Sequence, residues 1–81
     1  MADPVAWTMI ERGWSVCDST GEEIGKVGEL TGDEDHDIFD GLTINTGVLG
    51  GTKYVPSEHV SQIREGVVVL AIPAASLEKY E

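Results

Sequence analysis

The sequence predicts a single all-β domain, and three observations support this prediction. From Trp14 onward, short apolar runs alternate with glycines and acidic residues, which is typical of short strands joined by tight turns. Stretches such as "STGEE" and "VLGGT" supply the chemistry that those turns need. The length of 81 residues is enough for one modest hydrophobic core. We therefore expect one compact β-domain.

Residues 1–12 precede the predicted strands and are expected to form either a short helix or a tail. Asp3 and Pro4 are suited to the N-cap and the first position of a helix. Trp7 and Ile10 would then share one side of it. A helix of about nine residues is marginal unless it docks on the rest of the protein, so a frayed tail is the alternative.

The first predicted strand is "WSVCD". Its alternation places Trp14 and Val16 on one face, and Ser15 and Cys17 on the other. The "STGEE" stretch that follows predicts a turn, because its serine and threonine can hydrogen-bond locally and its glycine can adopt a positive φ. We expect the chain to reverse there into a second strand.

The second run, "IGKVGELT", has an ambiguous period. Ile24, Val27 and Leu30 are spaced by three, a spacing that a helix would also produce. Gly25 and Gly28 would each cost a helix roughly 1 kcal/mol relative to alanine. We therefore predict a long, strongly coiled strand in which one of these glycines marks a β-bulge.

A lysine follows a glycine in this run, which invites comparison with a phosphate-binding loop. Such a loop has four residues between its first glycine and its Gly-Lys pair, and a serine or threonine after the lysine. Here only three residues separate Gly21 from Gly25, and Val27 replaces the hydroxyl residue. We therefore expect neither a nucleotide site nor a bound cofactor.

Two further strands are predicted on either side of a glycine-rich reversal. The third is "IFDGLTINTG", with Ile38, Leu42 and Ile44 on one face and Phe39 on the other. "VLGGT" then leads into "KYVP", a short fourth strand that ends at Pro56 because proline cannot donate a ladder hydrogen bond. A single helical turn, "SEHV", is expected next.

The last apolar run does not alternate, since residues 67–72 are apolar on both faces. An antiparallel strand with one solvent-exposed face should alternate, so we expect its second face to be covered. The candidates are residues 73–81, which are expected to form a tail or a short helix, the N-terminal segment, or another subunit. A homodimer would be the simplest intermolecular cover, because symmetric homo-oligomers dominate soluble assemblies.

Charge and composition exclude several classes of partner. Fifteen acids against five bases give a net charge of −10, which opposes binding to nucleic-acid backbones and to anionic lipids. No apolar run approaches the ~20 residues needed to span a bilayer, and the first residues do not resemble a secretory signal. The single cysteine, Cys17, cannot form an internal disulfide. A cytoplasmic protein is therefore expected.

The densest acidic segment lies between the second and third predicted strands. Its carboxylates are those of Asp33, Glu34, Asp35, Asp37 and Asp40. Its alternating aspartates resemble the start of an EF-hand loop, but isoleucines occupy the sixth and twelfth positions, where that loop needs glycine and glutamate. We expect a solvated loop. Binding of a divalent cation or a small ligand by residues 33–40 with His36 is the alternative function.

Three stretches resemble the PRC-barrel family, a small β-barrel named after the photosynthetic reaction centre. They are "GWSVCDSTGEEIGKVGEL", "FDGLTINTGVLGGTKYVPSEHVSQI" and "EGVVVLAI". The same module is similar to the C-terminal part of a ribosome-maturation factor. The resemblance implies a half-open barrel of about six short, bent strands over residues 13–72. It also implies a role as an adaptor for protein contacts or assembly, in a family whose members share no catalytic residues.

The expected function is therefore a non-catalytic protein-interaction or assembly module whose partner is an unidentified protein. We expect no enzyme activity and no dedicated metal site. The candidate interaction residues are Trp14, Phe39, Leu49, Tyr54, Val68, Leu70 and Ile72. The alternative for most of them is a place in the core, because large apolar side chains are usually buried.

Overall fold

A computed structural model describes residues 6–47 and 51–79 of the chain. These residues form one seven-stranded sheet with the strand order β5-β6-β1-β2-β3-β4-β7. The strands are β1 (Ser15–Cys17), β2 (Glu23–Asp33), β3 (Ile38–Asn45), β4 (Thr52–Pro56), β5 (Val60–Arg64), β6 (Val67–Leu70) and β7 (Glu78–Lys79). The sheet curls into a half-open barrel. The predicted all-β, half-open barrel is confirmed.

Strand β2 is the longest, at 11 residues, and it bends enough to serve both sides of the barrel. Its first residues pair with β1, and the remainder pairs with β3. Gly25 allows β3 to approach β2 closely, because a Cβ there would overlap the carbonyl oxygen of Asn45. The pairing with β3 shifts register between Val27 and Leu30, around Gly28. The predicted long, bulged strand is therefore confirmed.

One pairing in the sheet joins distant parts of the chain. β1 and β6 run parallel, with Val16 opposite Val68, whereas the other pairs are antiparallel. The turn at residues 65–66 returns the chain from β5 to β6, and Gly66 adopts a positive φ of 84° there. This parallel pair links the beginning of the barrel to its last long strand.

The hydrophobic core lies on the inner face of the sheet. Its buried members are Ile10, Val16, Val27, Leu42, Ile44, Val55, Val68 and Leu70. Half-buried apolar side chains surround them, among which Val60 and Ile63 come from β5. The alternation predicted for β1 is seen, because Val16 is buried while its neighbours Ser15 and Cys17 are only half-buried.

One side-chain assignment in β3 was wrong. Thr31 pairs with Gly41 and Gly32 with Phe39, so Asp40 is an extra residue in β3. This bulge reverses the alternation beyond it. Phe39 therefore packs against the core, and Ile38 remains 51% exposed instead of sharing the inner face with Leu42.

Three short 3₁₀ turns complete the structure, at Trp7–Met9, Ser57–His59 and Ala74–Ser76. The first replaces the longer N-terminal helix that was one of the two alternatives for this segment. The proposed cap residues Asp3 and Pro4 lie outside the described residues. Within the described part of the chain, the structure contains no helix of the length and apolarity that crossing a membrane requires.

Candidate functional site

A row of side chains crosses the outer face of the sheet in continuous register. Arg64 pairs with Val67, Val67 with Ser15, Ser15 with Lys26, Lys26 with Asn45, and Asn45 with Thr52. These residues from β5, β6, β1, β2, β3 and β4 form what we call the outer row. Neighbouring residues in each strand alternate between faces, and Val16, Ile44 and Val68 on the other face are fully buried. The outer row therefore faces away from the core.

The outer row is free of acidic residues although the chain carries fifteen of them. It contains two cations, Arg64 and Lys26. The Lys26 ammonium donates a hydrogen bond to the Ser15 hydroxyl at 3.0 Å and forms an ion pair with Glu23 at 3.2 Å. This face is thus locally neutral to basic on a strongly acidic protein.

Small apolar side chains continue the outer face beside this row. Cys17 and Val69 are register partners in β1 and β6, and both are half-buried, as is Val67. Cys17 is a free thiol. The two faces of β6 therefore differ, because Val68 and Leu70 are completely enclosed while the outward valines keep part of their surface exposed.

A shallow cleft of about 610 Å³ adjoins one end of the outer row. Its lining residues are Arg12, Gly13, Lys26, Val27, Gly28, Glu29, Thr43, Asn45 and Thr52. Gly28 leaves the floor of the cleft without a side chain. A Cβ at this position would lie 2.7 Å from the Thr43 hydroxyl oxygen. The guanidinium of Arg12 pairs with the Glu29 carboxylate at 3.3 Å, and both side chains are largely exposed. The cleft thus offers two cations, the carboxylate of Glu29 and several hydroxyl and amide groups.

Residues 30–40 form a two-stranded extension of the sheet, which we call the acidic arm. Strand β4 pairs with β3 only from Gly41 onward, so the outer parts of β2 and β3 have only each other as sheet partners. The N-terminal turn supports this arm. The Trp7 ring stacks on Phe39 with centroids 5.2 Å apart and an interplanar angle of 6°, and its indole N–H donates to Asp37 at 2.9 Å.

The carboxylates of the acidic arm fall into two groups. Asp33 accepts the Asp35 N–H at 3.0 Å and hydrogen-bonds with the His36 ring at 2.7 Å. Asp37 has a positive φ of 53° and accepts the indole N–H of Trp7. By contrast, the Glu34, Asp35 and Asp40 carboxylates have no hydrogen-bond or ion-pair partner among the described residues. These three are available to an incoming group.

Asp18 is the one buried charged side chain of the described residues, at 4% exposure. Its carboxylate accepts hydrogen bonds from the Thr20 hydroxyl at 2.6 Å, the Thr20 N–H at 3.0 Å and the Glu22 N–H at 3.2 Å. A fourth, at 3.0 Å, comes from the Ala74 N–H near the other end of the chain. The Thr20 hydroxyl and then the Ala74 N–H hold the pKa of Asp18 below its ordinary value, against the opposing effect of burial.

The sequence-predicted interaction residues occupy different environments. Val68 and Leu70 are in the core, so they cannot contact a partner unless the barrel opens. Trp14 and Phe39 are half-buried and pack against the core.

Tyr54 and Ile72 are both half-buried. The Tyr54 hydroxyl donates to the Asp40 carbonyl oxygen at 3.3 Å, on the side of the sheet that bears the outer row. The carbonyl oxygen of Ile72 accepts the N–H of Ser19 at 3.0 Å. Leu49 lies outside the described residues.

The described residues, 6–47 and 51–79, contain no group of three or more His, Cys, Asp or Glu side chains placed to share a metal ion. His36 is bonded to Asp33 within the arm, and the imidazole of His59 lies 3.9 Å from the carboxylate of Glu58.

Asp18 and Trp7 organise these surfaces, but the sequence did not identify either residue in that role. The spacing of Asp18, Thr20 and Gly21 is that of an Asx-type turn, which could have identified Asp18 as a local acceptor. Nothing local indicates that Ala74 supplies a further donor. Trp7 was placed on the docking side of the N-terminal segment, but its contact with Phe39 depends on the bulge in β3.

The chain was compared with known proteins. The model of a family described as "PRC-barrel domain" matches residues 12–77. A search of curated proteins finds no match.

Proposed function

Because the chain belongs to the PRC-barrel family, we propose that it is a non-catalytic protein-interaction module that binds its partner through the outer row. One observation carries this proposal. The outer row crosses six strands without an acidic residue on a chain of net charge −10. Asp and Glu are among the residue types that are depleted in interfaces, whereas Arg is enriched.

The shape of this face also suits protein contact. Ser15, Asn45 and Thr52 are short side chains with hydrogen-bonding groups, and Val67 adds partly exposed apolar surface. They lie on a rigid sheet whose opposite face is fully packed, so little order is lost when a partner binds. Sites on regular elements are positioned more accurately than sites on loops.

The net charge favours a protein partner over nucleic acid or anionic lipid, since both would be repelled. The half-buried free thiol of Cys17 fits a reducing compartment, and we propose the cytoplasm. Acids elsewhere on the surface keep the protein from associating non-specifically, which leaves the outer row as the preferred contact.

Photo-crosslinking tests the proposal. A benzoylphenylalanine at Asn45, which is exposed in the outer row, is compared with one at Ala75, which is exposed in the C-terminal 3₁₀ turn. We expect discrete crosslinked products from position 45 in cells and none from position 75. Circular dichroism establishes that both variants are folded.

Equal crosslinking at the two positions, or none at position 45, would refute the outer row as the binding surface. The mass of each product identifies whether the captured protein is another chain type or a second copy of this one.

A further inference from the structure

The outer face of the β2–β3 hairpin, which we call the ribbon face, is electrically polarised along its length. Its register pairs are Lys26 with Asn45 at one end, Thr31 with Gly41 in the middle, and Asp33 with Ile38 at the other end. The first pair adjoins the cleft, which also contains Arg12. The last pair adjoins the acidic turn. One end of the ribbon face therefore carries two cations, each paired with a glutamate, and the other end carries carboxylates in excess.

We propose that two copies of the chain pack their ribbon faces together, antiparallel and related by a two-fold axis. The acidic arm of each copy then lies against the cleft of the other, which forms the same contact twice. This inference rests on the proposed function, because the cationic end of the ribbon face belongs to the outer row.

The middle of the ribbon face permits close approach of two copies. Gly28 has no side chain, and Thr31 and Thr43 have short ones whose hydroxyls already hydrogen-bond with the sheet's own backbone. A two-fold axis through this region brings like residues together without placing like charges opposite each other. A self-complementary patch of this kind is what an isologous dimer requires.

Charged side chains at both ends of the ribbon face are available for an intermolecular contact. Glu34 and Asp35 have no partner among the described residues. Arg12 and Lys26 are held in exposed ion pairs with Glu29 and Glu23. Exposed pairs of this kind contribute little free energy, so both cations can turn to a partner's carboxylates while Glu29 and Glu23 return to solvent.

An apolar residue supports the same arrangement. Ile38 is one of two large hydrophobic side chains that the structure leaves mostly exposed among its described residues, at 51%. It lies on the ribbon face, at the acidic end. The antiparallel packing would cover it with the partner's sheet, and burying apolar surface favours association.

One chain cannot make this contact with itself. Lys26 and Asp33 lie in the same strand, seven residues apart, which corresponds to roughly 23 Å. The arm must therefore reach the cleft of another molecule.

The dimer is expected to be weak. The ribbon face is about 23 Å long, at 3.3 Å for each of the seven steps from Lys26 to Asp33, and only two strands wide. Such an area falls below the roughly 1,200 Å² buried in standard interfaces. The net charge of −10 per copy also opposes association, although salt at 0.15 M screens it beyond about 8 Å.

Sedimentation equilibrium of the full chain at up to about 1 mM and 0.15 M salt tests the dimer, since weak contacts need such concentrations. We expect the mass to rise towards two chains and to stop there. Lys26→Glu and Asp35→Lys should each weaken dimerisation at least tenfold. The double variant, and an equimolar mixture of the two single variants, should recover it, because both restore opposite charges at each contact.

Matched controls carry the same charge changes elsewhere. Arg64→Glu lies in the outer row but off the ribbon face, and Glu58→Lys is exposed beside β5. The dimer dissociation constant of each control should be closer to the wild-type value than the constants of the test variants are. Arg12→Glu and Glu34→Lys form a second test pair if a first variant fails to fold.

A wild type that stays monomeric, assembly that continues beyond two chains, or a double variant that is not rescued would each refute the dimer. The proposed function fails separately. If position 45 still crosslinks to a different protein while the wild type is monomeric, the outer row is a binding surface and only the self-association is wrong.

Discussion

Two turns of this molecule begin with an aspartate that accepts a backbone N–H two residues later, yet their surroundings differ. Asp18 begins the turn between β1 and β2, and Asp33 lies at the turn between β2 and β3. Asp18 is 4% exposed, whereas the side chain of Asp33 is 49% exposed. The C-terminal segment covers the first turn through Ala74, and solvent surrounds the second.

The comparison indicates that a local hydrogen-bond motif contributes substantially to stability only where another segment of the chain buries it. When a buried acceptor is removed, its donors are left without hydrogen-bond partners. When an exposed acceptor is removed, water can take its place. The same residue type therefore anchors the barrel at Asp18 and is nearly dispensable for stability at Asp33.

The largest effect is expected from Asp18→Ala. This change removes the acceptor of four hydrogen bonds and frees the link between the first turn and Ala74. We expect the thermal midpoint to fall by roughly 10 °C, against a shift of no more than about 2 °C for Asp33→Ala. Thermal unfolding followed by circular dichroism measures both. Equal shifts would show that burial does not distinguish the two turns.

The pH dependence of stability sharpens the same contrast. Because the pKa of folded Asp18 is lowered, its stabilising contribution is fully present above the ordinary carboxyl pKa of about 3.9 and is lost as pH falls through the lower folded value. Wild type should thus exceed Asp18→Asn in stability at pH 7, and the difference should shrink below about pH 4. Urea unfolding at pH 7, 5 and 3 tests this. A constant difference would contradict it.

A smaller effect is expected from the contact that supports the acidic arm. Trp7→Ala removes both the stack on Phe39 and the hydrogen bond to Asp37, and should cost about 1 kcal/mol, which lowers the thermal midpoint by roughly 5 °C. Trp7→Phe keeps the stack and should cost roughly half as much. Hydrogen exchange should show that residues 31–39 lose protection more than β1 or β6. Uniform loss across the sheet would mean that Trp7 supports the whole barrel.

Much of the fold could be predicted from local patterns. The strand over Glu23–Asp33 follows from glycines that disfavour a helix, and the end of β4 at Pro56 follows from the chemistry of proline. The outer row could not be predicted, because its members come from six strands whose register depends on bulges. A single added residue, Asp40, moved Phe39 inward and Ile38 outward.

The candidate surfaces show the same division. The acidic segment was evident from composition, whereas its support by Trp7 and its position on a polarised ribbon face required the strand pairing. Val68 and Leu70 were candidates for contact because both faces of their run are apolar. Only the parallel pairing of β6 with β1 revealed which face is enclosed.

The sequence by itself determined that this chain is a β-domain, where its turns occur and that its surface is acidic. These properties depend on side-chain periodicity, glycine and proline geometry, and charge, all of which act over a few residues. The tertiary structure decided the β1–β6 pairing, the burial of Asp18 beneath Ala74 and the acid-free outer row. Those features depend on contacts between residues far apart in the chain, which contribute free energy only once the strands have paired.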